Sequence, residues 1–157
     1  VVYYEYMFDI AKKAKVNELK TMMITNGFIN PEPLEALMPY MDAFNVDLKA
    51  FRDDFYRELS GAKLQPVLDA LLQIRAHNKH LEITNLIIPG WNDDAEIFTE
   101  MVIWIKEKLG EETVLHISRY FPCYKLNAPP TPVNTIRELL DIASKHLKYV
   151  YPGNVRL

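Results

Sequence analysis

Four short segments of this chain alternate apolar and polar side chains with a period of two, the period of a strand, and that limits the folds open to it. In residues 43–49, Phe44, Val46 and Leu48 share one face, while Asn45, Asp47 and Lys49 share the other. Ile83 and Ile87 stand opposite Glu82 and Thr84, and Leu115 and Ile117 opposite His116 and Ser118. In residues 20–25, Met22 and Ile24 are assigned to the apolar face and Thr21 and Thr25 to the polar one. Helical patterns separate these strands, so a parallel sheet with crossover helices is expected. A doubly wound sheet is covered on both faces and reads as nearly continuous apolar runs, which these strands are not. One apolar and one partly polar face suit a barrel wall with helices outside and a ligand inside. A complete eight-unit barrel needs roughly 250 residues. The chain has 157. The fold class expected is therefore α/β, a partial (β/α) barrel or half-barrel fragment with parallel strands, running as one unit over residues 1–157.

Local signals place the boundaries. A first helix carries Tyr3, Tyr6, Met7, Ile10 and Ala14 at helical spacing. It begins almost at once, at Val1-Val2 with no initiator Met, so a piece of a longer or processed chain is expected. Asn30-Pro31-Glu32 reads as a helix start, with Asn as cap and Pro at the first helical position. Residues 53–59 form a short helix closed by Ser60-Gly61, and a longer one follows through Leu64, Val67, Leu68, Leu71 and Leu72. Asp93 with Glu96 forms a capping-box pattern. Thr131-Pro132 is expected to cap the last helix, residues 148–151 to form a closing strand, and Gly153-Asn154 to be a frayed tail.

Composition excludes several function classes. The net charge is −3 and no basic run stands out, so nucleic acid is not expected as a partner. Cys123 is the only cysteine, which excludes an internal disulfide framework and a metal site built from several thiolates; no metal ligands are assigned. A reducing cytoplasm is the expected setting. No apolar run has the length of a membrane span.

In parallel α/β folds the ligand lies at the C-terminal ends of the strands. Four clusters stand there: Thr25-Asn26-Gly27, Asn45 to Lys49, Pro89-Gly90-Trp91-Asn92 and His116 to Tyr120. Asp47 can accept from an amine or hydroxyl. Lys49 can hold a carboxylate, or attack a carbonyl if desolvated. A structural ion pair is the plain alternative for these two. Asn26-Gly27 is equally a common turn. His116 is read as a core or substrate-facing group without a metal role, and Arg119 as outward-facing but able to reach an anion. Substrate-facing candidates are Thr25, Asn45, Thr84, His116, Ser118 and Arg119. Trp91 stacks on a ligand or covers the rim, and His77, His80, His146 and Cys123 carry no expected role.

Taken in order, Thr25-Asn26-Gly27-Phe28, Asp47-Leu48-Lys49 and Ile87-Ile88-Pro89-Gly90-Trp91-Asn92-Asp93 resemble the radical S-adenosylmethionine enzymes related to pyruvate formate-lyase activating enzyme. His116-Ile117-Ser118-Arg119-Tyr120, Pro122, Tyr124-Lys125, Pro129 to Pro132 and the ending Tyr149 to Val155 are similar to one branch, the radical enzyme of the AmmeMemoRadiSam system. The resemblance covers essentially the whole chain. It implies a partial barrel in which a four-iron cluster holds S-adenosylmethionine and cleaves it to a 5′-deoxyadenosyl radical that takes hydrogen from a substrate. It implies that Asp47 and Lys49 contact or lie beside the methionyl amine and carboxylate, and that Asn26 and Leu86 line the nucleoside.

Two departures limit what carries over. Thr84 stands where the activating enzymes have an Arg, and Phe121 where they have a His, so those two cofactor contacts are not assigned. The family's Cys-x3-Cys-x2-Cys loop lies upstream and is absent here, and Cys123 cannot replace it. As given, the piece is expected not to make the radical. The substrate left open is a protein glycine, another protein side chain or a small molecule, and the open barrel edge is expected to favour self-association. Two other classes remain: a Schiff-base lyase using Lys49, and a non-catalytic binding module.

Overall fold

The two-residue alternation becomes one all-parallel sheet in a computed structural model of the chain, which describes residues 3–156. The strands are β1 (Met22–Thr25), β2 (Ala43–Asp47), β3 (His80–Ile87), β4 (Val114–Arg119) and β5 (Val150–Gly153). They lie side by side in chain order. Each pairs in parallel with the next. Sequential order is that of a barrel wall, whereas a doubly wound sheet reverses its order partway across. The expected partial barrel is thus the observed one.

Helix α1 (Tyr4–Val16) precedes β1, and α2 (Pro31–Leu37), α3 (Asp53–Ser60), α4 (Gln65–Ala76), α5 (Ala95–Leu109) and α6 (Val133–Ser144) connect the strands, with a 3-10 turn at Met38–Tyr40. Phe44 and Val46 of β2, Ile83 and Ile87 of β3, and Leu115 and Ile117 of β4 are fully buried in one cluster with helix residues such as Leu71, Ile105 and Leu139. Burying each such side chain stabilises by about 1.5–3 kcal/mol. The other face is only half-buried along β2, β3 and β4. Among the described residues no helix is long and apolar enough to cross a membrane.

β1 has the opposite parity to the one expected. Met23 is buried, whereas Ile24 is 77% exposed and Met22 half exposed. Register pairs Met23 with Phe44 and Ile24 with Asn45. The Met-Met-Ile run carries no alternation of its own, so the strong pattern of β2 decides which side faces the helices. α1 turns in a similar way: Tyr6 and Ile10 point outward, and Ala11 is buried. Its packed side is fixed by Tyr4, whose hydroxyl donates to Pro33 O at 2.8 Å, and by Phe8, which meets Tyr40 edge-on. Val1 and Val2, read as the start of this helix, lie outside the described residues.

Capping also departs in detail. Asn30 precedes Pro31 as expected but makes no side-chain cap. Asp94, not Asp93, caps α5, accepting from the amides of Glu96 and Ile97. Asp93 instead accepts from Gly90 N at 2.8 Å and shapes the turn before it. Gly153 belongs to β5 rather than to a frayed tail. A Cβ there would collide with Ser118 Oγ, so the close approach of β4 and β5 requires glycine.

Thr131 is not a cap but a buried staple. Its hydroxyl donates to Ile87 O at 2.6 Å and accepts from Tyr120 N at 2.9 Å, tying the proline-rich loop to β3 and β4. At the other edge, Asp42 Oδ2 accepts from Thr21 N at 2.9 Å, while Lys15 and Lys20 lie 3.1 and 3.4 Å from Oδ1. The Thr21 amide first, then Lys15, holds the Asp42 carboxyl well below the usual carboxylate range.

Two outcomes are expected. Thr131→Val keeps the shape but leaves a buried carbonyl and amide unpaired, and should cost about 2–3 kcal/mol in a urea unfolding titration. Asp42 has a lowered folded-state pKa. Its contribution is present above the unfolded value of about 4 and is lost as pH falls through the folded one. Asp42→Asn should therefore destabilise at about pH 6, and the difference from wild type should shrink steadily below about pH 4.

Candidate functional site

The open face of the sheet carries the polar half of the alternation. Register sets Asp47 beside Thr84, Thr84 beside His116, and His116 beside Tyr151 in one row. Asn45 lies beside Glu82 in the next row toward the strand starts, about 6.6 Å away at two residues per step. Leu86 and Ser118 are neighbours in the row toward the strand ends.

Beyond the end of β2, Lys49 Nζ meets Asp47 Oδ2 at 2.9 Å, with the two side chains about a third exposed. Such a pair contributes at most about 1 kcal/mol to stability, so its placement needs another reason. The backbone beneath it is clamped on both sides. Lys49 N–H donates to the Tyr56 hydroxyl at 3.1 Å. Lys49 O accepts from Asn92 Nδ2 at 2.5 Å and Asn85 Nδ2 at 3.1 Å, and Asn85 also donates to Leu48 O at 2.6 Å. Asn92 in turn donates to Leu86 O and accepts from Ile88 N, which locks the ends of β2 and β3 together. Burial pushes the Tyr56 phenol up to about 12, so it stays protonated at neutral pH. A Schiff-base lysine needs a free amine, and here Asp47 engages it.

The Thr25-Asn26-Gly27 turn sits next to this pair. Thr25 Oγ1 accepts from Gly27 N at 3.2 Å, and Asn26 Oδ1 accepts from Phe28 N at 3.1 Å. Gly27 has a φ of 72°, and a Cβ there would press on Val46 and Val67, so the turn admits only glycine. Asn26, Phe28, Asp47, Lys49 and Tyr56 line a common cavity of about 180 Å³. Thr25 pairs with Val46 in register, which places it on the helix-side parity rather than with Asn45; the turn absorbs its hydroxyl.

Lower on the open face is a network in which sequence reading gave Glu82 no part. Glu82 Oε2 lies 2.7 Å from His116 Nε2 and 3.5 Å from Asn45 Nδ2, and Oε1 lies 3.0 Å from His80 Nε2. Thr84 Oγ1 donates to Asn45 Oδ1 at 2.9 Å. Bonds from His80 and His116 hold the Glu82 carboxyl below the usual range. The signal was a strand offset: Glu82 is 34 positions from His116 and meets it only through the β3–β4 register.

Ser118 faces Gly153, as the expected open-face position requires. Arg119 pairs with Ile87, donates from Nε to Thr131 O at 2.7 Å and lies over the Phe121 ring, away from that face. Trp91 packs edge-on against Phe55 at the rim. Cys123 is exposed, and among the described residues no group of three or more His, Cys, Asp or Glu is placed to hold a metal. The chain's residues therefore fit a small zwitterionic headgroup at Asp47 and Lys49 but do not fit an iron–sulfur cluster.

Comparisons with known proteins bear on the family and the fold. The pattern of the Radical SAM superfamily matches residues 2–102. A protein of Methanocaldococcus jannaschii, MJ0808, is 42% identical over 98% of this chain and 46% of its own length. Pyruvate formate-lyase 1-activating enzyme of Escherichia coli strain K12 is 27% identical over 57% of this chain and 37% of its own length. The chain thus spans less than half the length of these relatives. A crystallised domain of pyruvate-formate lyase-activating enzyme from Bacteroides vulgatus superposes with a TM-score of 0.84 at 14% identity, over 98% of this chain and 92% of that one, which shows a shared fold. A superfamily match over most of the chain, on a parallel sheet with one open polar face, establishes that the chain belongs to the radical S-adenosylmethionine superfamily.

Proposed function

We propose that the chain is the C-terminal part of a radical S-adenosylmethionine oxidoreductase of the glycyl-radical-activating kind, and that Asp47 and Lys49 receive the methionyl end of the cofactor. The observation that carries this reading is the clamped strand exit. A one-third-exposed ion pair worth little to stability is held by Tyr56, Asn85 and Asn92 through the Lys49 peptide. A methionyl ammonium and carboxylate can replace the partners within that pair without leaving either charge uncompensated. The cavity that Asp47 and Lys49 line is also bounded by Asn26, and Leu86 lies on the open face, which suits the nucleoside part.

When bound in the complete enzyme, the cofactor and its cluster supply a 5′-deoxyadenosyl radical that abstracts hydrogen from a substrate. This chain's own residues bind and orient the amino-acid end of the cofactor, and half-buried Asn45, Thr84, His116 and Ser118, from three successive rows of the open face, face the substrate. A protein substrate accords with the name of the Escherichia coli relative. The cluster ligands lie in the part of the enzyme outside this chain, and the exposed Cys123 suits a reducing cytoplasm.

In the complete, anaerobically reconstituted enzyme, Asp47→Asn and Lys49→Met should each raise the Kd for S-adenosylmethionine about tenfold or more by equilibrium dialysis, about 1.4 kcal/mol. An unchanged Kd in both would sink the assignment. The isolated chain, reconstituted with iron and sulfide, should retain no stable cluster by iron analysis. Retention of four irons per chain would contradict the division of labour proposed.

A further inference from the structure

The carboxylate of Glu82 accepts hydrogen bonds and, held ionised, has no proton to give. His116 Nε2 lies 2.7 Å from it, so Nε2 must carry the ring proton. A neutral imidazole has one protonated nitrogen, and the bond made by one nitrogen decides the role of the other. Nδ1 is therefore left as a hydrogen-bond acceptor, and it makes no hydrogen bond among the described residues. The ring is about a third exposed on the open face. Tyr151 of β5 flanks it, with ring centroids 5.8 Å apart.

We propose that Glu82 is a positioning residue that fixes His116 as an acceptor, so that the open face selects a substrate presenting an N–H or O–H donor at this point. The charged and titratable groups facing His116 are few. Glu82 and His80 come from β3, with His80 engaged by the second oxygen of Glu82. Tyr151 comes from β5. Asp47 and Lys49 at the end of β2 engage each other. Thr84 beside His116 and Asn45 beside Glu82 add no charge, and Asn45 Oδ1 is occupied by the Thr84 hydroxyl. None of these supplies a donor to Nδ1, which leaves it to water in the free protein and open to a donor on what binds. The inference rests on the reading of the open face as the substrate side. Its test involves neither Asp47, Lys49 nor S-adenosylmethionine, so the two fail separately.

The test is nitrogen-15 NMR of the histidine rings in the chain. At about pH 8, His116 should carry its proton on Nε2 and none on Nδ1. Glu82→Ala, which removes the acceptor from Nε2, should let a measurable share of the ring proton move to Nδ1 and draw the two ring-nitrogen shifts together, while the backbone spectrum stays that of the folded chain. Millimolar methylguanidinium, a donor-only probe, should shift Nδ1, and sulfate, which only accepts, should not. A proton on Nδ1 at that pH, an unchanged tautomer balance in Glu82→Ala, a sulfate response without a methylguanidinium one, or no response to either would each overturn the proposal.

Discussion

Helices cover one face of this sheet and leave the other only half-buried, and that asymmetry governs the rest of the molecule. In sequential parallel order, the strands can bury Phe44, Val46, Ile83, Ile87, Leu115 and Ile117 only on the helix side. The strand period of two then forces Asn45, Asp47, Glu82, Thr84, His116 and Ser118 onto the opposite side. A slip of one residue in any pairing would exchange the two sets, so burial of the apolar face also positions the polar one. The site is a consequence of the core.

What the core does not fix is the strand exits, where pairing stops and chains turn. There, side chains substitute for the missing ladder. Asn85, Asn92 and Tyr56 hold the Lys49 peptide; Thr131 holds Ile87 and Tyr120. Gly27 and Gly153 supply room where a side chain would collide. These contacts turn a loosely paired Asp47 and Lys49 into groups of fixed direction, which a site for a charged headgroup needs.

The sheet was legible because strong alternation in β2, β3 and β4 leaves one reading of each face. β1 was misread because Met22, Met23 and Ile24 are all apolar, and only pairing with β2 chooses between them. α1 was found as a helix and Met7 packs against the core as its spacing implied, but Tyr4 and Phe8, not Tyr6 and Ile10, take the rest of the docking surface. Asp47, Lys49 and Asn26 could be found from motif and strand position. Glu82, Tyr56, Asn85 and Thr131 could not, because their partners lie seven to 44 residues away and meet through register or helix packing. The cap was displaced by one position: only Asp93 has a Glu three residues on, but the Pro89-Gly90 turn takes it, and the adjacent Asp94 caps α5.

The central claim is that the open face, at the exit of β2, holds the amino-acid end of S-adenosylmethionine. The most direct measurement is a crystal structure of the complete parent enzyme with that molecule bound. The methionyl ammonium should lie within hydrogen-bond distance of the Asp47 carboxylate and the methionyl carboxylate near Lys49 Nζ, with Lys49 O still held by Asn85 and Asn92. A structure in which the cofactor binds while the Asp47–Lys49 pair remains closed on itself and untouched would contradict the account.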